Sequence, residues 1–251
     1  MQSNPRRTRL STAFLALTAA LLAIGPSSRA VAQAPIPPHL RDAMQLCKAV
    51  SSETSNYQHK AGPVAFPGDP GVNGVTCRTD CSGFMNALLK HAYDFSDEQL
   101  SAMFHARRPL AKHYFTAIEA QHGFQTIDSL KQARPGDILA VRYLNSGEGE
   151  NTGHVMLMAG QPRLREPTQP VVSGTLQWEV PVIDESSSGH GVIDSRHLSG
   201  GGFSDGLGNG ILRVYTDPAG RIVGHSWSVG RKSKFRSQAE RPLLIGRLQL
   251  P

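Results

Sequence analysis

Cysteine is scarce in this sequence, with three residues, and tryptophan, with two, is scarcer; aromatic residues make up only 6% of the chain. Three cysteines of which two, Cys77 and Cys81, stand four apart are too few for a cysteine zinc site, and no histidine pair has tight ligand spacing. No metal or other cofactor is expected. Past the N-terminus no apolar run approaches the roughly 20 residues of a spanning helix, which excludes a polytopic membrane protein. Charge of one sign is also thin. The formal net charge of +6 includes Arg6, Arg7, Arg9 and Arg29, and without these four it is +2. The only basic run left is Arg231-Lys232-Ser233-Lys234-Phe235-Arg236, too little for a nucleic-acid footprint.

What is present is a globular composition, 39% hydrophobic with 25 glycines and 17 prolines, which favours strands and loops and argues against disorder or a coiled coil. The length suits one catalytic core. Residues 1–32 read as a signal peptide. Arg6, Arg7 and Arg9 are its positive region, residues 10–25 its short apolar region, and Ala30-Val31-Ala32 its cleavage site. No cysteine follows for a lipid anchor, so the expectation is a periplasmic or secreted protein with no stable membrane insertion after cleavage. Residues 33–54 are expected to be an extension carrying one helix, and residues 55–251 a single catalytic domain.

Helices are expected first: Leu40–Val50, one opening near Asp80 with Phe84, Leu88 and Ala92 on its apolar stripe, one capped by Ser96-Asp97-Glu98-Gln99, and one from Pro109 to about Gln121. Strands follow at Ile138–Tyr143, Gly153–Ala159, Val180–Glu185, Ile211–Tyr215, Ile222–Ser228 and Leu243–Leu248. Residues 60–76, 161–175 and 186–210 read as loops. Helices before antiparallel strands make an α+β domain.

Cys81 opens a helix, where unpaired N–H groups and the positive dipole end stabilise a thiolate and can receive an oxyanion. His154, after a glycine at a strand start, is the base that such a sulfur needs. Asp184, on a later strand, is the group to orient the ring, with Glu185 and His190 as alternatives. An odd cysteine count in an oxidising compartment suggests a Cys47–Cys77 disulfide that leaves Cys81 reduced. A Cys77–Cys81 bridge fits worse, since two neighbours at a helix mouth meet disulfide geometry poorly.

Asp80-Cys81-Ser82-Gly83-Phe84 resembles the nucleophile motif of the NlpC-type cell-wall cysteine peptidases, which are papain-like α+β enzymes. Pro135-Gly136-Asp137-Ile138-Leu139 and Gly153-His154-Val155-Met156 are similar to their Pro-Gly-Asp and Gly-His-Val strand starts, and Ile183-Asp184-Glu185 to the segment of their third polar residue. The resemblance spans roughly residues 55–192. It implies hydrolysis of amide bonds in peptidoglycan stem peptides by Cys81, His154 and Asp184. It also implies that Tyr57 lies on the substrate side and that Asp80 and Ser82 meet a substrate amine. The family's Tyr-x-Trp-Gly-Gly approach is replaced here by residues 62–76, and the stretch from His154 to Asp184 is longer than in the family. The expected partner is a peptidoglycan or peptide substrate, and the protein itself is expected to be a monomer. Two rivals share these residues: a transglutaminase-like acyl transferase and a catalytically silent wall-binding module.

Overall fold

The computed structural model describes Met1 and residues 35–250, except 72 and 145–150. The expected signal peptide, 1–32, therefore lies outside the described residues apart from Met1. Residues 35–251 group into one unit. Its order is helix α1 (Pro38–Ala49), strands β1 (Ser55–Tyr57), β2 (Val64–Ala65) and β3 (Thr76–Thr79), and then helices α2 (Cys81–Tyr93), α3 (Asp97–Phe104) and α4 (Ala111–Glu119). Strands β4 (Phe124–Thr126), β5 (Ile138–Arg142), β6 (Gly153–Met158), β7 (Arg163–Arg165) and β8 (Leu176–Ser186) follow. The last four are β9 (Gly206–Thr216), β10 (Ile222–Ser226), β11 (Phe235–Ser237) and β12 (Leu243–Leu248). The chain is α+β, as its order of helices and strands suggests.

The main sheet runs β11-β10-β9-β8-β6-β5-β12-β4, antiparallel throughout, with β7 on the first half of β8. A small sheet, β1-β3-β2, precedes it. Alternation along β6 divides the core in two. Val155 and Leu157 face the helices with Phe84, Leu88, Leu89, Tyr114 and Ile118. Met156 and Met158 pack on the other face with Val180, Val182, Leu212 and Val214. Both faces are covered, and for this reason the strands read as nearly continuous apolar runs.

The helices obey local signals. Ser96 and Gln99 complete a capping box at α3, and α2 stops at Asp94 in the left-handed region. Pro109 precedes α4 by two residues and does not begin it, because Leu110 serves as N-cap. Helix α1 is no loose extension: Leu40, Ala43 and Leu46 are buried in the helix-side core.

Three expected loops hold strands. Residues 60–76 contain β2 and the first residue of β3; residues 161–175 contain β7; residues 186–210 contain the first half of β9. Glycine hides β9 from a sequence reading, since it normally weakens a strand. A Cβ at Gly208 would lie 2.5 Å from the Arg196 side chain, and one at Gly210 would lie 2.5 Å from Asp194 and 2.6 Å from His190. These glycines let the 187–205 segment lie directly on the sheet.

Candidate active site

The start of α2 positions Cys81. Asp80 caps the helix: its Oδ1 accepts the Gly83 N–H at 2.7 Å and the Ser82 hydroxyl at 2.8 Å, and its carbonyl accepts the Phe84 N–H at 2.9 Å. The N–H groups of Cys81 and Ser82 are left over at the helix end, as helix geometry requires. Arg108 donates to the second Asp80 oxygen and fixes the cap. The chain enters this helix too closely for a side chain at Gly83, where a Cβ would lie 1.9 Å from Thr79 Oγ1.

Gly153 has the same role for His154. Its φ is +146°, and a Cβ there would lie 2.0 Å from the Val141 carbonyl oxygen. Strand β6 begins there, opposite Arg142 of β5. The β6–β8 register, with Leu157 opposite Ile183, puts His154 and Asp184 on the same face of the sheet. His154 Nε2 stands 2.6 Å from Asp184 Oδ2. With Nε2 engaged, Nδ1 is the ring nitrogen left for sulfur, and Cys81 lies near enough to favour charge on the ring. Burial opposes charge on the ring, but the Cys81 thiolate and the Asp184 carboxylate outweigh it and hold His154 well above its ordinary value.

Asp184 is fully buried, which alone would favour its neutral form. His190 and Arg196 reverse that and hold the carboxyl well below the usual range. His190 Nε2 lies 3.1 Å from Oδ2, and its Nδ1 lies 2.6 Å from the Trp227 carbonyl, so both ring nitrogens face acceptors. Arg196 donates to Asp184 Oδ1 at 2.8 Å and spans Asp194 with Nε and Nη2, both at 2.9 Å. Its Nη1 takes the Gly206 carbonyl at 2.9 Å. A buried guanidinium with all its nitrogens engaged suits a low-dielectric site. The structure thus places Asp184 directly against His154, and His190 behind Asp184. Glu185 faces away, toward Cys77.

Cys81 is 5% exposed, but two residues against it, Tyr57 and His154, line an open cleft of about 290 Å³. Ser186, Ser187, Ser188, Asn151, Tyr143 and Trp227 form more of its wall. The Trp227 indole meets the His154 ring edge-on at 4.9 Å and stacks on His190 at 4.4 Å. It screens the His154–Asp184 pair from water, which strengthens that pair. Among the described residues no three His, Cys, Asp or Glu side chains are arranged to hold a metal ion.

One expectation needs correction. The Cys47–Cys77 disulfide is not formed, and all three cysteines are free. Cys77 donates to Glu185 Oε2 at 3.2 Å, and Cys47 accepts from Asn209 at 3.8 Å, so each sulfur has a polar partner instead. Burial pushes Cys47 up to about 11 and Cys77 higher still, which leaves both as unreactive thiols at neutral pH. The Asp80 carboxylate accepts from the Ser82 hydroxyl, the Gly83 N–H and Arg108, and Tyr57 lines the cleft.

Arg108, Asp194, Arg196 and Trp227 escape a sequence reading: Asp194 and Arg196 lie in a segment read as loop, Arg108 just before a helix, and Trp227 in an expected strand whose alternation does not show what it covers. The usable signal was Gly208 and Gly210 at alternate positions, where a strand leaves room for a buried side chain. No family model matches the chain, and no solved structure matches it. An uncharacterized protein of Acanthamoeba polyphaga mimivirus is 33% identical over 202 residues, which cover 78% of this chain and 88% of the viral one. This chain and that viral protein belong to one family.

Proposed function

We propose that the protein is an exported, papain-like, NlpC-type thiol hydrolase that cleaves amide bonds. One observation carries this reading: beside a sulfur at a helix N-terminus, the His154 ring is hydrogen-bonded to a buried carboxylate that His190 and Arg196 keep ionised. In the reaction the Cys81 thiolate attacks the amide carbonyl carbon. The Cys81 and Ser82 N–H groups receive the resulting oxyanion. His154 gives its Nδ1 proton to the leaving amine as the carbon–nitrogen bond breaks. Water then attacks the thioester, His154 takes the proton from it, and the acid leaves with the thiolate restored. Asp184 stabilises the imidazolium throughout and keeps its proton on Nε2. No step needs a cofactor. The resemblance at residues 80–84 and 153–156 supports peptidoglycan stem peptides as the substrate and a monomer in the periplasm or outside the cell.

The test is incubation of purified protein with peptidoglycan fragments, followed by mass spectrometry, beside Cys81→Ala. Products lost in the variant support the reading and identify the bond. It is overturned if wild type yields none and iodoacetamide labels Cys81 no faster than a free thiol.

A further inference from the structure

The cleft beside His154 has one basic wall that the proposed chemistry does not use. It comes from the sheet edge formed by β10 and β11 and from the turn before β12: His225, Trp227, Lys234, Arg236 and Arg241 all line it. Among its described lining residues there is no carboxylate. Arg241 lies over the Tyr143 ring at 4.2 Å, and among the described residues the carboxylate paired with Arg236, on Glu240, is 3.9 Å away, beyond hydrogen-bond length.

Two further groups on this wall lack partners among the described residues. His225 is 3% exposed, and its buried Nδ1 has no hydrogen bond; neither has the buried Nε1–H of Trp227. Burial, then Arg241 and Arg236, push His225 down to about 4, so at neutral pH it is an uncharged ring able to offer one N–H. A buried donor left unpaired is costly and normally finds an acceptor. Two guanidiniums, an ammonium and unpaired ring nitrogens on one cleft wall suit a planar, anionic acceptor with two oxygens, which the guanidinium fork grips in bidentate fashion.

We propose that this wall is a carboxylate subsite and that the substrate is an acidic peptide amide, its carboxylate held by Arg236 and Arg241 with the Trp227 and His225 rings, while its scissile bond lies at Cys81. The proposal rests on the reading of the cleft as the active site.

Two measurements separate the two ideas. N-bromoacetyl-L-glutamate and its neutral diamide carry the same thiol-reactive group, and Cys81 displaces bromide from either. The diacid is expected to label Cys81 about tenfold faster than the diamide at low salt. That ratio should approach one in 0.5 M sodium chloride and in R236Q/R241Q. A ratio near one in wild type, or one unchanged in the double variant, overturns the subsite. The second measurement is an NMR titration of Cys81→Ala with N-acetyl-L-glutamate, read at the Trp227 indole N–H. A saturable shift, absent with the diamide, supports the subsite even if neither bromide labels Cys81, which would count only against the nucleophile. No shift overturns the subsite even if Cys81 proves reactive.

Discussion

Asp184 accepts hydrogen bonds from two imidazoles and a guanidinium, so its charge, and not merely its shape, holds the His154 ring. Asp184→Asn is expected to fold but to lose amide cleavage by about 10²- to 10⁴-fold. A loss under tenfold in steady-state assays would remove Asp184 from the mechanism. The lowered Asp184 value also sets an acid limit. Its contribution to stability is present above the ordinary carboxylate range and is lost as pH falls through the lower folded value. Glu185 next to it runs the other way. Burial pushes it up to about 8, its Oε1 has no partner, and Oε2 accepts the Cys77 thiol. The folded state therefore binds this proton more tightly than the unfolded chain does, and stability declines as pH rises from the ordinary carboxylate range through about 8. Glu185→Gln should remove that decline and raise stability at pH 9 by roughly 2–4 kcal/mol. Urea melts at pH 5 and pH 9 check this, and parallel curves for the two proteins would refute it.

At the scale of elements, β9 carries the site although it contributes no catalytic group. Its glycines face His190, Asp194 and Arg196, which in turn hold Asp184. Gly210→Val is expected to cost about 1–3 kcal/mol by overpacking and to weaken amide cleavage. Gly200→Ala, where a Cβ meets nothing within 4 Å, should do neither. Equal urea midpoints for the two variants would show that the 187–205 segment does not need its close seat on β9. The capping box of α3 and the N-cap of α2 were legible because they depend on side chains within one turn. Strand β9 was not legible, because its glycines answer to side chains of the preceding 187–205 segment, which only folding lays back upon the strand.

For the whole molecule, the pattern of thiols decides how the protein tolerates its surroundings. Three free cysteines, two of them, half-buried Cys47 and buried Cys77, pushed up, mean that the fold holds through its two cores and its buried ion network without a covalent brace. Denatured but unreduced protein should titrate with all three thiols of the sequence. One thiol would restore the Cys47–Cys77 bridge. The native protein should show one fast thiol, Cys81, at neutral pH.

The sequence alone determined the α+β order, the helix that presents Cys81, and the strands that bear His154 and Asp184, because helix caps and apolar periodicity are local. Alternation gave each strand its faces, but the register of β6 on β8 put His154 and Asp184 on the same one. Only the tertiary structure decided that Cys77 meets Glu185 instead of Cys47, that Arg196 anchors Asp184, and that Trp227 covers the His154 ring. Those pairings join residues from 12 to 108 positions apart, and their energy comes from burial that no single segment possesses.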